Sequence, residues 1–262
     1  MNAWDALILG IVQGATEFLP VSSSGHLVVG QRLLGLQVPG IAVEVALHVG
    51  TLLSVVVVYR ERLTKLAVGA VRGRREAWRY VGLLALATLP AAVVGLAFES
   101  GLEAMFDRAW VPGVGFLVTA ALLLSVRGRE GGRDAALDAR VALLVGLAQA
   151  AALVPGVSRS GATVVAALWL GIEAREAAAF SFLLSVPAIA GAAVLLLAGD
   201  AAGAHAGVPA PVLLIGGAAA GLTGVAAIRL FVGLLARGGF HRFAYYLTPL
   251  GVGYLLYLWG SA

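Results

Sequence analysis

Three ionisable residues stand where an otherwise apolar chain turns polar: Glu17 and His26 in one segment, Arg159 in another. Around them lie Ser22, Ser23, Ser24, Ser158, Ser160 and Thr163, with Gln13 and Gln149. Ionisable groups are costly at membrane depth and mark a functional site by default. Both serine runs precede a predicted helix. A helix start offers unpaired backbone N–H groups and the positive end of a dipole, which suits an anion. Two such starts facing each other, with an arginine that forks onto phosphate oxygens, make a phosphate cradle. A carboxylate is wrong for holding phosphate directly. It fits a hard divalent cation that bridges to phosphate, or a proton to be moved. A histidine one turn from the serines can serve as acid, base or nucleophile.

The elements that carry these residues follow from composition. The chain has 262 residues, is 60% hydrophobic and 12% charged, and contains no cysteine. A soluble domain averages about 25% charged residues, so an ordinary soluble enzyme and a disordered chain are both excluded. The absence of cysteine excludes a disulfide scaffold and a thiolate zinc site. The 35 glycines follow no collagen period and suit closely packed membrane helices. A net charge of +4 could suggest nucleic acid, but most arginines sit in short connectors between apolar runs, where topology explains them.

Six stretches are long and apolar enough to span: Val43–Tyr59, Tyr80–Phe98, Trp110–Val126, Ala178–Ala198, Val208–Leu235 and Phe243–Trp259. The first residues, Met1 to Asp5, lack the positive start of a signal peptide, so insertion of the whole chain is expected. Two apolar stretches are broken instead. Trp4–Phe18 is interrupted by Pro20 and the serines before His26–Leu36, and Arg140–Val154 by Pro155 and Gly156 before Ala162–Ile172. Eleven residues of helix reach about 16 Å, half the hydrocarbon core. Each pair is therefore expected to form a re-entrant hairpin, whose irregular backbone survives only where protein or water satisfies it.

The two hairpins repeat. A shift of 136 residues aligns Gly10, Gln13, Ala15, Val21, Ser22, Ser24, Gly25, Val28, Val29, Leu34 and Gly35 with identical residues at 146–171. Apolar composition alone would not align the glutamine, two serines and three glycines in one register. Each hairpin precedes three spans, so the unit crosses an odd number of times and the second copy is inverted. The expected fold is an all-α polytopic membrane protein with six transmembrane helices and two re-entrant hairpins. It forms a single domain, 1–262, with repeat one over 1–126 (hairpin 4–36) and repeat two over 140–262 (hairpin 140–172). Inverted repeats with broken helices place a site near the midplane. Fourteen of the eighteen basic residues fall on one side, in connectors 60–79, 127–140, 173–176 and 236–242. The positive-inside rule makes that side cytoplasmic and puts both termini outside.

Gly10–Leu27 reads GIVQGATEFLPVSSSGHL and Pro155–Thr163 reads PGVSRSGAT. These segments closely resemble the two signatures of the undecaprenyl-diphosphatase family, the bacitracin-resistance type of integral membrane phosphatase, and the resemblance covers the whole chain. It implies hydrolysis of undecaprenyl diphosphate to undecaprenyl phosphate and inorganic phosphate, which recycles the lipid carrier of bacterial cell-wall synthesis. It also implies a bacterial inner membrane, a divalent cation (magnesium or calcium) and a site open to the outer side. Carried over by position, the catalytic set is Glu17, His26, Ser23 and Arg159. The phosphate-binding set is Ser22, Ser24, Gly25, Ser158, Ser160, Gly161 and Thr163. The metal would fall to Glu17 and Gln13. At position 13 the family often has a second glutamate; a glutamine binds metal through its carbonyl but supplies no charge and takes no proton. Ser23, His26 and water stay open as nucleophile, Ser23 being favoured by resemblance alone.

Plainer readings stand beside these. Glu17 pairs structurally with Arg159, His26 bonds at a helix start, and each serine caps a backbone. Arg229 snorkels to the interface. Glu44 and His48 are read as a local hydrogen bond lining the bundle rather than a metal pair, and Trp78, Trp110 and Trp259 as interfacial anchors. The expected partners are a polyprenyl diphosphate lipid and membrane lipid, with no nucleic acid; a homodimer is left open. The competing function is a transporter that flips the lipid phosphate. An ion channel would need a polar stripe along the spans, and none is visible.

Overall fold

A computed structural model describes residues 1–34, 40–129, 135–199 and 208–260. Gly35 and Leu36 of the first predicted hairpin, and Arg133 of a connector, lie outside them. Among the described residues every regular element is helical: α1 Ala3–Phe18, α2 Ser23–Leu34, α3 Gly40–Val58, α4 Arg60–Val71, α5 Arg75–Ala97, α6 Glu99–Asp107, α7 Val111–Ser125, α8 Ala139–Ala151, α9 Arg159–Trp169, α10 Ala174–Gly199, α11 Ala210–Ala236 and α12 Ala244–Gly260.

Among the described residues two helices, α5 and α11, are each long and apolar enough to cross a membrane. Two bent pairs reach that length together: α3 with α4 at 79°, and α6 with α7 at 101°. Residues 60–71 and 99–107, expected as plain connectors, thus fold as short helices. Their charges occupy the exposed side: Arg60, Glu61 and Lys65 on α4, and Glu99, Glu103 and Asp107 on α6.

The two broken stretches form helix–elbow–helix units as expected. Both second helices, however, start three residues before the predicted position, at Ser23 and Arg159. The cause is capping. Ser22 Oγ accepts from the Gly25 N–H at 3.3 Å, and Ser158 Oγ accepts from the Gly161 N–H at 3.1 Å. Each serine satisfies an orphan donor of the first turn. Ser23, Ser24 and His26 therefore lie in the first turn of a helix, not in a loop ahead of it.

Glycines set the helix contacts. A Cβ on Gly10 would stand 2.3 Å from Gly216 O, one on Gly50 2.1 Å from Gly217 O, and one on Gly146 2.5 Å from Ala87 O. Those approaches seat α1 and α3 on α11, and α8 on α5. The 136-residue shift carries α1 onto α8 and α5 onto α11. Each elbow's leading helix thus packs on a long helix of the opposite half. Inside, Phe18, Phe182, Phe231 and Phe240 form a chain of edge-on rings in a fully buried core.

Candidate active site

The first elbow begins where Pro20 ends α1. Ser22 then turns the chain with φ 68°, the left-handed region, as no other non-glycine residue among those described does. L-residues hold that conformation only where surroundings over-determine it, and such strain collects at functional sites. Here the Ser22 carbonyl accepts from the His26 backbone N–H at 3.2 Å and from the His26 ring at 2.8 Å. In the second elbow the left-handed residue is Gly156, φ 90°.

Helix α7 holds both elbows. Thr119 Oγ1 donates to Gly156 O and accepts from the Ser158 N–H, each at 3.0 Å. One turn earlier, the Phe116 ring lies against Gly25, where a Cβ would come within 2.6 Å, and 5.1 Å from the His26 ring. Directly between the elbows, Ser160 Oγ donates to Leu19 O at 3.3 Å.

The tips meet at Glu17. Its Oε1 accepts from Arg159 Nη2 at 2.7 Å. Its Oε2 accepts from Ser23 Oγ at 2.7 Å and from Gln13 Nε2 at 3.1 Å. The side chains of Arg159 and Glu17 are only 16% and 8% exposed, so little water competes for this pair. Two polar atoms here are buried without a partner: Arg159 Nη1 and Gln13 Oε1. Unsatisfied buried donors and acceptors are rare and costly. The first suits a phosphate oxygen, the second a cation. Beside Gln13 and Glu17 opens a cavity of about 560 Å³, lined also by Ser23, Ser24, Glu44 and His48 together with apolar side chains that include Leu9 and Leu153.

His26 points elsewhere. A carbonyl only accepts, so the ring proton is on Nδ1, facing Ser22 O. Tyr246 Oη, 2.8 Å away, donates to Nε2, and the two rings stack at 12°. The hydroxyls of the second elbow are engaged within the protein. Ser158 and Ser160 pair at 3.2 Å; Thr163 Oγ1 donates to Arg159 O at 2.8 Å and lies 2.6 Å from Ser181 Oγ. All four hydroxyl residues are buried.

Tyr246 and Thr119 were missed by sequence reasoning. A Tyr-Tyr pair at the start of the last span reads as an interfacial belt, and a threonine within an apolar helix as a back-bonded filler. Glu44 and His48 do share a local bond, the Nδ1 of His48 on the Glu44 carbonyl at 2.8 Å, and both also line the cavity.

Donor chemistry at the tips fits a hard cation. Glu17 and Gln13 supply oxygens, and Gln13 Oε1 awaits a partner. Among the described residues there is no group of three or more His, Cys, Asp or Glu side chains that could hold a metal ion. Substrate oxygens and water would therefore complete the coordination, which is magnesium's usual habit.

Residues 6–253 match the family model described as bacitracin resistance protein BacA. The chain is 42% identical over 256 residues to the undecaprenyl-diphosphatase of Rubrobacter xylanophilus, covering 94% of each protein. To that of Korarchaeum cryptofilum it is 41% identical over 266 residues, covering 97% of this chain and 99% of the other. To that of Elusimicrobium minutum it is 44% identical over 198 residues, covering 75% and 77%.

Proposed function

The chain belongs to the bacitracin resistance protein BacA family, and from that premise we propose that it hydrolyses undecaprenyl diphosphate to undecaprenyl phosphate and inorganic phosphate. One observation carries this reading onto the chain's own residues: Arg159 of one elbow meets Glu17 of the other with Nη1 left unpartnered, and Glu17 lines a cavity.

Arg159 Nη1 takes an oxygen of the terminal phosphate, while Nη2 stays on Glu17. Ser24 and the free N–H groups of the first turn of α2 add donors on the cavity side. Ser23 is the nucleophile that the geometry favours, because its Oγ already donates to the Glu17 carboxylate at 2.7 Å. Glu17 takes the Ser23 proton as Oγ bonds to the terminal phosphorus. The bridging P–O bond breaks and undecaprenyl phosphate leaves with that electron pair. Water then cleaves the phosphoserine and frees inorganic phosphate. His26, pinned by Ser22 and Tyr246, orients the turn that carries Ser23. Glu17 and Gln13 would hold a divalent cation, which would supply neutralisation of phosphate charge, the main demand of phosphoryl transfer.

The wider placement is part of the same proposal. Six spans and two re-entrant elbows form inverted repeats over 1–126 and 140–262. Reciprocal seating of α1 on α11 and α8 on α5 supports the repeat, and the one-sided arginines support termini outside and a bacterial inner membrane. The prenyl tail stays among apolar helices and the site opens outward.

Phosphate release from purified protein, given a polyprenyl diphosphate with and without chelator, tests the reading. Release that chelator abolishes is expected. A protein that moves lipid phosphate across vesicles yet releases no phosphate is a flippase, and the hydrolytic assignment fails.

A further inference from the structure

Arg229 belongs neither to the arginine-rich connectors nor to the elbows. It stands inside α11, seven residues before the end at Ala236, about 10 Å from that helix end. Its side chain is exposed and lines an open groove of about 550 Å³ with Tyr59, Arg60, Glu61, Arg62 and Lys65. The groove forms where α3 turns by 79° into α4.

The charges of this groove do not cancel. Arg62 is already committed: both of its arms reach Glu176, and its guanidinium lies 4.8 Å over the Tyr80 ring. Among the described residues, the ion pairs within 4.0 Å are Arg62–Glu176 and Arg159–Glu17, and none includes Arg60, Lys65 or Arg229. Three cations therefore face one carboxylate, Glu61, that pairs with none of them. Because α11 is long and apolar enough to span and α4 turns away at 79° from the end of α3, we place the groove at the depth of lipid headgroups. Basic pockets between helices at that depth attract phosphate-bearing headgroups.

We propose that this groove is a binding site for a phosphate anion, carried by an anionic phospholipid headgroup or free in solution, and separate from the hydrolytic site. His48 lines the elbow cavity and Val57 lines the groove, nine residues apart on α3, about 14 Å. The inference rests on membrane placement and not on the proposed hydrolysis, so either can fail alone.

Native mass spectrometry of the full-length protein in neutral detergent tests it, with phosphatidylglycerol and phosphatidylcholine offered in equal amounts. The protein is expected to retain phosphatidylglycerol preferentially. Arg60→Gln/Arg229→Gln should lower that retention about 30-fold, at roughly fivefold per cation removed. Arg72→Gln/Arg74→Gln, equal in charge but outside the groove, should retain it. Equal retention by the groove variant and the control overturns the proposal. In a second arm, millimolar inorganic phosphate is titrated against bound lipid. Displacement that the groove variant no longer shows assigns the site to free phosphate; lipid that stays bound assigns it to the headgroup. Phosphate release and thermal unfolding of the variants report folding. Should the double variant not fold, Arg229→Gln and Lys65→Gln each carry the same reading, at roughly fivefold.

Discussion

Tyr246 Oη and His26 Nε2 lie 2.8 Å apart although 220 residues separate them. That bond, with the one from Nδ1 to Ser22 O, leaves the imidazole neither nitrogen to turn with. Tyr246→Phe removes one hydroxyl and keeps the stacked ring. A hydrogen bond is worth about 0.5–1.5 kcal/mol net, so kcat for phosphate release should fall up to about tenfold, with KM little changed. A variant with full kcat would show that Tyr246 does not position His26.

The contact between Glu17 and Arg159 is structural and, in the proposed mechanism, also chemical, and the two roles separate by experiment. Removing either charge leaves its partner buried and unpaired, at a cost of about 3–5 kcal/mol. Glu17→Gln should therefore lower the unfolding temperature, and Glu17→Gln/Arg159→Gln should regain part of the loss. Activity should not return with stability. Glu17→Gln, Arg159→Lys and the double variant should each lose about 100-fold or more in phosphate release. Near-normal turnover by either single variant would refute the assigned roles.

Gln13 presents a neutral oxygen where a carboxylate would bind a cation more tightly. Gln13→Glu should lower the magnesium concentration that gives half-maximal phosphate release, by about tenfold for one added carboxylate near a divalent ion, since affinity follows ligand charge. Gln13→Ala should raise it. If neither variant changes the magnesium dependence, position 13 holds no metal.

Close packing predicts opposite outcomes for two glycines. Gly50→Ala forces a Cβ to within 2.1 Å of the Gly217 carbonyl, whereas Gly82 has nothing within 4 Å. Overpacking costs about 1–3 kcal/mol, while alanine in an exposed helical site gains about 1 kcal/mol over glycine. In detergent, thermal unfolding should come earlier for Gly50→Ala and no earlier for Gly82→Ala. Equal shifts would mean that α3 and α11 are not tightly apposed.

Much of this architecture was legible because it is local. Apolar run length placed α5 and α11, and Pro20 and Pro155 marked both elbows. The paired glutamines, serines and glycines exposed the likeness between those elbows. Helix starts were misplaced by three residues because Ser22 and Ser158 were read as loop, although each begins a serine-x-x-glycine cap. Tyr246 and Thr119 were hidden for another reason. Their partners, His26 and Gly156, lie on distant segments, and no periodicity within α12 or α7 points to them. Glu17 and Arg159 were singled out by their chemical type in an apolar setting and Ser23 by family resemblance alone; the hydrogen bond from Ser23 to Glu17 is a tertiary fact.

The seat of α1 is made of residues that the ribosome adds about two hundred positions later. At about 5–20 residues per second, the first elbow waits roughly ten to forty seconds before α11 begins to emerge. A nascent chain must shelter Glu17 through that interval without its final neighbours. Biogenesis, rather than the finished fold, is the stage at which this molecule is most exposed to insertion errors and proteolysis.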